Sequence, residues 1–112
     1  MKADGTCSVD VGLRVIQGTW KPALVWHLLG GTRRFAELRR LVPGISERML
    51  ARQLRQLEEA GIVHRRAYPE VPPRVEYTLT MRGHSLAEIL GQLAAWAEEA
   101  HGPQPTNAQS RM

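Results

Sequence analysis

The stretch PGISERMLARQLRQLEEAGIVHRRAYPEVPPRVEY, from Pro43 to Tyr77, decides the fold. Ser46 is a good N-cap, because its hydroxyl can accept from a free backbone N–H of the first turn. Behind it, Leu50, Leu54 and Leu57 recur at helical spacing and predict a core-facing stripe. At about 100° per residue from Leu50, Arg55, Arg48, Glu59 and Arg52 fall at roughly 140°, 160°, 180° and 200°, a narrow arc opposite the leucines. Gly61 is the stop. Ile62 to Tyr68 and Arg74 to Leu79 then read as two strands. In the second, Val75, Tyr77 and Leu79 alternate with Arg74, Glu76 and Thr78, the pattern of a half-buried antiparallel strand. The connecting Pro69 to Pro73 contains three prolines, which should hold its shape without much hydrogen bonding. A helix offering arginines outward, followed by a basic hairpin, suits a reader of duplex DNA. The helix fits the major groove and the hairpin reaches the neighbouring backbone.

Working outward, Val42-Pro43-Gly44 is a turn, and Phe35, Leu38 and Leu41 mark a short helix with Glu37, Arg39 and Arg40 facing out. Thr32 to Arg34 reads as a brief strand after the helix stop Gly30-Gly31. A helix from Lys21 to Leu29 tolerates Pro22 in its first turn. It is apolar around nearly its whole circumference and should be the buried centre of the fold. An earlier helix, Ser8 to Gln17, places Val9, Leu13 and Ile16 on one face and closes at Gly18. Thr80 caps a last helix reaching about Ala100, with Leu86, Ile89, Leu90, Leu93, Trp96 and Ala97 on one broad face. The organisation expected is a flexible lead over 1–6, one domain over 7–102 and a disordered tail over 103–112. The fold class is α+β, mainly α: a winged helix-turn-helix domain with flanking N- and C-terminal dimerisation helices.

With 112 residues the chain can hold one modest core but not two. The window Arg33 to Arg74 carries ten arginines against five glutamates, while the rest of the chain is slightly acidic. The basic charge is therefore concentrated on the helix and hairpin, and it is nearly all arginine, whose rigid fork suits phosphate and guanine. The longest strongly apolar run, Pro22 to Leu29, is far below the roughly 18 residues a membrane span needs. The first ten residues lack the apolar core of a signal peptide, so a cytoplasmic location is expected. One cysteine, Cys7, excludes an internal disulfide framework and any Cys-rich metal site. His27, His64, His84 and His101 show no metal spacing, and His27, on an apolar helix, is read as a core histidine. No nucleophile, base or phosphate loop is assembled, so no enzyme, cofactor or metal is expected.

The string RRFAELRRLVPGISERMLARQLRQLEEAGIVHRRAYPEVPPRVEYTLTMRGHSL, preceded by Cys7 and by GTWKPALVWHLL, resembles the HxlR-type bacterial transcriptional regulators, small winged-helix proteins related to the MarR group. The pieces RF-x-EL, PGIS, LE-x-x-GIV-x-R and Y-x-x-x-PP-x-VEY-x-LT-x-x-G occur in order at the correct spacing over nearly the whole chain. The resemblance implies a homodimer that binds an inverted-repeat operator and represses, or in some members activates, nearby genes. It implies that Ser46 to Ala60 is the recognition helix, that the arm around Pro69 to Pro73 is the wing, and that the first and last helices form the dimer. Val9, Leu13, Ile16, Leu86, Ile89, Leu90, Leu93 and Trp96 are the dimer candidates.

On this reading Arg48 and Arg52 reach base edges from the first turns of the recognition helix, with Ser46, Glu47 and Ala51 on the same approach. For Ser46 the capping role is preferred. Arg55, further along, is read as a phosphate clamp. Arg33, Arg34, Arg65, Arg66 and Arg74 are backbone-contact candidates, which fix register without reading sequence. Arg74 has an even alternative, pairing with Glu76 or Glu70. Arg39 and Arg40 either reach phosphate or are simply solvated. In the resembled family a cysteine at the position of Cys7 senses oxidants or electrophiles in some members. Here Cys7 is either such a sensor, favoured as thiolate by the following helix's positive end, or a small residue packed at the dimer interface. The alternative function, from a different class, is a winged-helix assembly module that binds protein and not DNA.

Overall fold

The computed structural model describes residues 7–101. The expected lead over 1–6 and tail over 103–112 lie outside the described residues. The elements run α1 (Ser8–Val15), α2 (Lys21–Leu28), β1 (Arg33–Arg34), α3 (Phe35–Leu41), α4 (Glu47–Glu59), β2 (Val63–Tyr68), β3 (Arg74–Leu79) and α5 (Met81–His101). The order is the one expected, with small shifts at the ends. α1 stops two residues early, where Ile16 N–H turns back to the Leu13 carbonyl at 3.2 Å. β2 begins one residue late, because Ile62 N–H still closes α4 onto the Leu57 carbonyl at 2.9 Å.

The core joins α2, α3, α4 and the sheet. Leu24, Leu38, Leu50, Leu54, Leu57 and Ile62 are essentially closed to solvent, the leucines on the stripes their helices turn inward and Ile62 in the turn between α4 and β2. The sheet is antiparallel in the order β1-β3-β2. Its register pairs Val63 with Leu79, Arg65 with Tyr77 and Arg66 with Glu76. The pleat therefore puts Tyr77 and Leu79 on the helix side, with Glu76 and Thr78 on the outer side. Thr32 and Thr78 join on that outer side through hydroxyls 2.7 Å apart.

The expectation that α2 is buried all round is corrected. Leu24, Val25 and Leu28 are buried, but Trp26 is 47% exposed and Leu29 42%. The helix is only eight residues long, and one side enters the core. Its other side leans on α5, where a Cβ on Gly91 would come within 3.6 Å of the Trp26 ring. The uniform apolar surface reflects two separate packing faces. His27, read as a core histidine, sits half-buried at the end of α2, beyond the turn that faces the core. Glu37 does not face freely outward either: its carboxylate accepts from Arg34 N–H at 2.9 Å and caps α3.

Candidate nucleic-acid interface

α4 is held at both ends and along one side. Ser46 Oγ accepts from Met49 N–H at 3.0 Å, which satisfies a free donor of the first turn. Gly61 takes φ +77°, a conformation that leaves the helix and that a Cβ would disfavour. With the leucines buried, Arg48, Ala51, Arg52 and Arg55 are all exposed on the opposite side. Among the described residues the ion pairs are Arg39–Glu47, Arg74–Glu70 and Arg74–Glu76. None involves Arg48, Arg52 or Arg55, so Glu58 and Glu59 do not neutralise them.

Glu47 faces the preceding helix rather than the open arc. Its carboxylate meets Arg39 at 3.1 Å, and the two border an open cleft of about 410 Å³ with Phe35, Ala36 and Arg40. This exposed pair contributes under about 1 kcal/mol to stability. Its effect is to pin Arg39 to the α3–α4 turn while Arg40 stays free in solvent.

The sheet-side arginines divide into engaged and open groups. Arg74 is engaged: it pairs with Glu70 at 2.8 Å and Glu76 at 3.3 Å, and its guanidinium lies 3.8 Å from the Tyr68 ring centre. The pairing alternative is the one realised, and Arg74 braces the wing. The loop 69–73 thus owes its shape to this ion cluster as well as to its prolines. Arg33 is half-buried and donates from Nε to the His27 carbonyl at 3.3 Å, closing the C-terminal end of α2. Arg34, Arg65 and Arg66 are exposed. Strand alternation sends Arg65 and Arg66 to opposite faces: Arg65 goes to the helix side, and Arg66 goes to the outer side, 5.1 Å from Tyr68. The wing tip itself presents Val71, fully exposed, rather than a basic residue.

Sequence reasoning missed Lys21. It is only 7% exposed, and its ammonium donates to the side-chain carbonyls of Gln53, at 2.8 Å, and Gln56 on α4. Burial, and then the nearby Arg52, hold its pKa below the usual 10.5. The signal available was the pair Gln53 and Gln56, one turn apart on the flank of an otherwise clean amphipathic helix.

The apolar faces of α1 and α5 are open. Val9, Leu13, Ile89, Leu93 and Trp96 are 56–65% exposed. Leu86 and Leu90, grouped with them in sequence, instead pack against the core beside the fully buried Ala87. Ile16 is half-buried, and Trp26 lies against α5 at Gly91, on a different side of that helix from Ile89, Leu93 and Trp96. Cys7 is half-buried at the N-cap of α1, where its carbonyl accepts from Val11 N–H at 3.1 Å. Among the described residues no cluster of potential ligands could hold a metal, and no helix is long and apolar enough to cross a membrane.

A capped helix with free arginines, preceded by a short helix and followed by a hairpin that completes a three-stranded sheet, defines a winged helix-turn-helix regulator. Comparison with known proteins agrees: residues 15–105 match the HxlR-like helix-turn-helix family. This chain belongs to that family. It is 50% identical over 92 residues to the uncharacterized HTH-type transcriptional regulator YybR of Bacillus subtilis (strain 168), covering 82% of this chain and 74% of that one. The redox regulator HypR in its reduced form superposes with a TM-score of 0.80 at 47% identity, covering 85% of this chain and 94% of the other. The oxidized form of HypR gives 0.76 at 49%, covering 83% and 96%. The chain is thus a transcriptional regulator of helix-turn-helix type.

Proposed function

We propose that the chain acts as a cytoplasmic homodimer that binds an inverted-repeat operator and represses transcription by occluding the promoter. The observation carrying this reading is the outward arc of α4, with Arg48, Arg52 and Arg55 exposed and free of ion pairs among the described residues. Side chains in the first turns of such a helix reach base edges, so Arg48 and Arg52 read guanine while Arg55 clamps phosphate. Arg34, Arg65 and Arg66 supply backbone contacts, and Arg40 is available for the same role. Ser46 and Glu47 shape the approach, and Ala51 leaves room for it.

The dimer reading rests on the exposed stripe Ile89, Leu93 and Trp96, spaced i, i+4, i+7 on α5, together with the exposed Val9 and Leu13 of α1. Two copies related by a two-fold axis would present two recognition helices to half-sites one helical turn, or a multiple of it, apart. Selection of bound duplexes from a random pool tests motif, symmetry and spacing together. A palindromic motif whose binding weakens steeply with salt is expected. No retention of any duplex at 50 mM salt would overturn the reading in favour of a protein-assembly module.

A thiol-linked control through Cys7 is a second reading. It is supported by the position of Cys7 at the start of α1 and by the similarity to HypR, solved in reduced and oxidized forms. With one cysteine per chain, oxidation would join two copies or add a small thiol. Operator release on mild oxidation in the native chain but not in Cys7→Ser is the expected result. Identical responses would leave Cys7 as a packing residue.

A further inference from the structure

Most of the backbone contacts named so far come from the sheet side of the domain, and the opposite flank of α4 has been left without one. That flank carries Met49, Gln53 and Gln56, at roughly 240–300° when Leu50 is set at zero and each residue turns about 100°. Glu47 and its partner Arg39 lie across the helix, near 60° on the same scale. On the flank, α4 meets the loop between α1 and α2 and encloses an open niche of about 530 Å³. Gln17, Thr19, Lys21, Arg52, Gln53 and Gln56 supply its polar lining.

The chemistry of the niche suits an anion. Lys21 has its stem buried and its ammonium at the niche, where two of three donors are spent on Gln53 and Gln56. One donor is left over. Arg52 stands close enough to oppose the lysine's charge, and among the described residues no carboxylate lines the space. Both the desolvation of Lys21 and its repulsion from Arg52 would be relieved by a negative group placed between them. Thr19 adds an exposed hydroxyl at the mouth. Arg52 also belongs to the outward arc that faces the groove, so an anion held here lies beside the bases that Arg52 reads. A DNA backbone phosphate flanking the major groove is the anion delivered to that place.

We infer that Lys21 and Thr19 form a seat for one backbone phosphate of duplex DNA, on the flank of α4 away from Glu47. The inference rests on the DNA-binding reading above and adds a contact that fixes the roll of α4 in the groove. The contact is blind to sequence.

The test uses a duplex selected by the native protein, with a random-sequence duplex alongside. Native protein must first bind with a steep salt dependence. Lys21→Met keeps the stem and removes the charge. It should weaken both duplexes alike, about tenfold, and make the plot of log affinity against log salt shallower by about 0.9. Thr19→Glu alters only an exposed loop position and should cost tenfold or more on both duplexes, by placing a negative charge where the phosphate sits. Ethylation of one phosphate per half-site should impair the native protein and leave Lys21→Met no worse. If the native protein binds but both variants keep its affinity and slope, the niche is only a structural joint and the inference fails. If Lys21→Met does not fold, Thr19→Glu and ethylation decide alone. If the native protein binds no duplex, the DNA-binding reading itself falls and takes this one with it.

Discussion

Arg52 and Arg66 are both exposed arginines of a basic domain, yet the proposed reading gives them different work. Arg52 projects from the early half of a helix whose opposite face is locked by Leu50, Leu54 and Leu57, so its guanidinium is carried on a rigid mount. Arg66 lies on the outer face of β2, 5.1 Å from the Tyr68 ring centre, and on the proposed reading meets phosphate rather than base edges. Arg52→Ala should therefore relax preference at one or two base pairs, by about 1–3 kcal/mol of discrimination. Arg66→Ala should weaken every duplex alike and lower the salt slope by about 0.9. Binding measured on a panel of single-base variants separates the two, and equal losses across the panel for both would contradict this division. Lys21 carries a further consequence, for stability. Its pKa is depressed in the folded chain, so between the folded value and 10.5 the unfolded chain holds more protons. Folding stability should accordingly rise as pH climbs through that interval, and the benefit is lost as pH falls through the folded pKa. Denaturant titrations near pH 8 and pH 10.5 should show this rise in the native chain and a smaller one in Lys21→Met.

At the scale of elements, the joint between β2 and α5 shows how a short motif seals two distant segments. Thr80 Oγ1 donates to the Gly61 carbonyl at 2.6 Å and accepts from Gly83 N–H at 3.0 Å, so one hydroxyl ties the turn after α4 to the first turn of α5. Gly83 must come close for this to work: a Cβ there would stand 2.2 Å from the Ile62 carbonyl oxygen and 3.0 Å from Leu79 Cδ2. Because the first obstacle is backbone, Gly83→Ala should destabilise by about 1–3 kcal/mol, and Thr80→Val by about 1 kcal/mol. Thermal unfolding would check both; an unchanged midpoint for Gly83→Ala would show that α5 can slide. The caps Ser46 and Thr80, the stop Gly61 and the alternation in β3 were legible in the sequence because each is a local rule. The need for glycine at 83 was not, since it is imposed by residue 62 across the fold. The same holds for Arg74, whose partners Glu70 and Glu76 were named but whose choice between them and DNA depends on the hairpin register. Lys21 escaped for a like reason, its glutamine partners lying more than thirty positions further along the chain.

For the whole molecule, what remains open among the described residues are the apolar faces of α1 and α5. Sequence periodicity marked one broad face on α5, but a single helix turned toward two partners spreads its apolar residues over both. Leu86 and Leu90 satisfy the domain's own core, whereas Ile89, Leu93 and Trp96 are turned away from it. Separating the two sets required knowing where α2 and the sheet lie. The outer set is the part a second copy would cover, and it can be altered without touching the core. Leu93→Glu combined with Trp96→Glu places two charges on each side of a two-fold interface, so like charges would oppose one another in the dimer. The folded monomer should survive, because both positions are more than half exposed, and its unfolding midpoint should stay near that of an intact protomer. Operator affinity should drop by about 10²–10⁴, the advantage of holding two half-site contacts on one rigid body. Sedimentation equilibrium reports the mass and a titration of the palindromic duplex reports the affinity. A variant that stays dimeric moves the interface elsewhere on the surface. A monomer that binds the full palindrome as tightly as the native protein shows that the two half-sites are recognised independently, and the two-fold architecture would then contribute nothing to recognition.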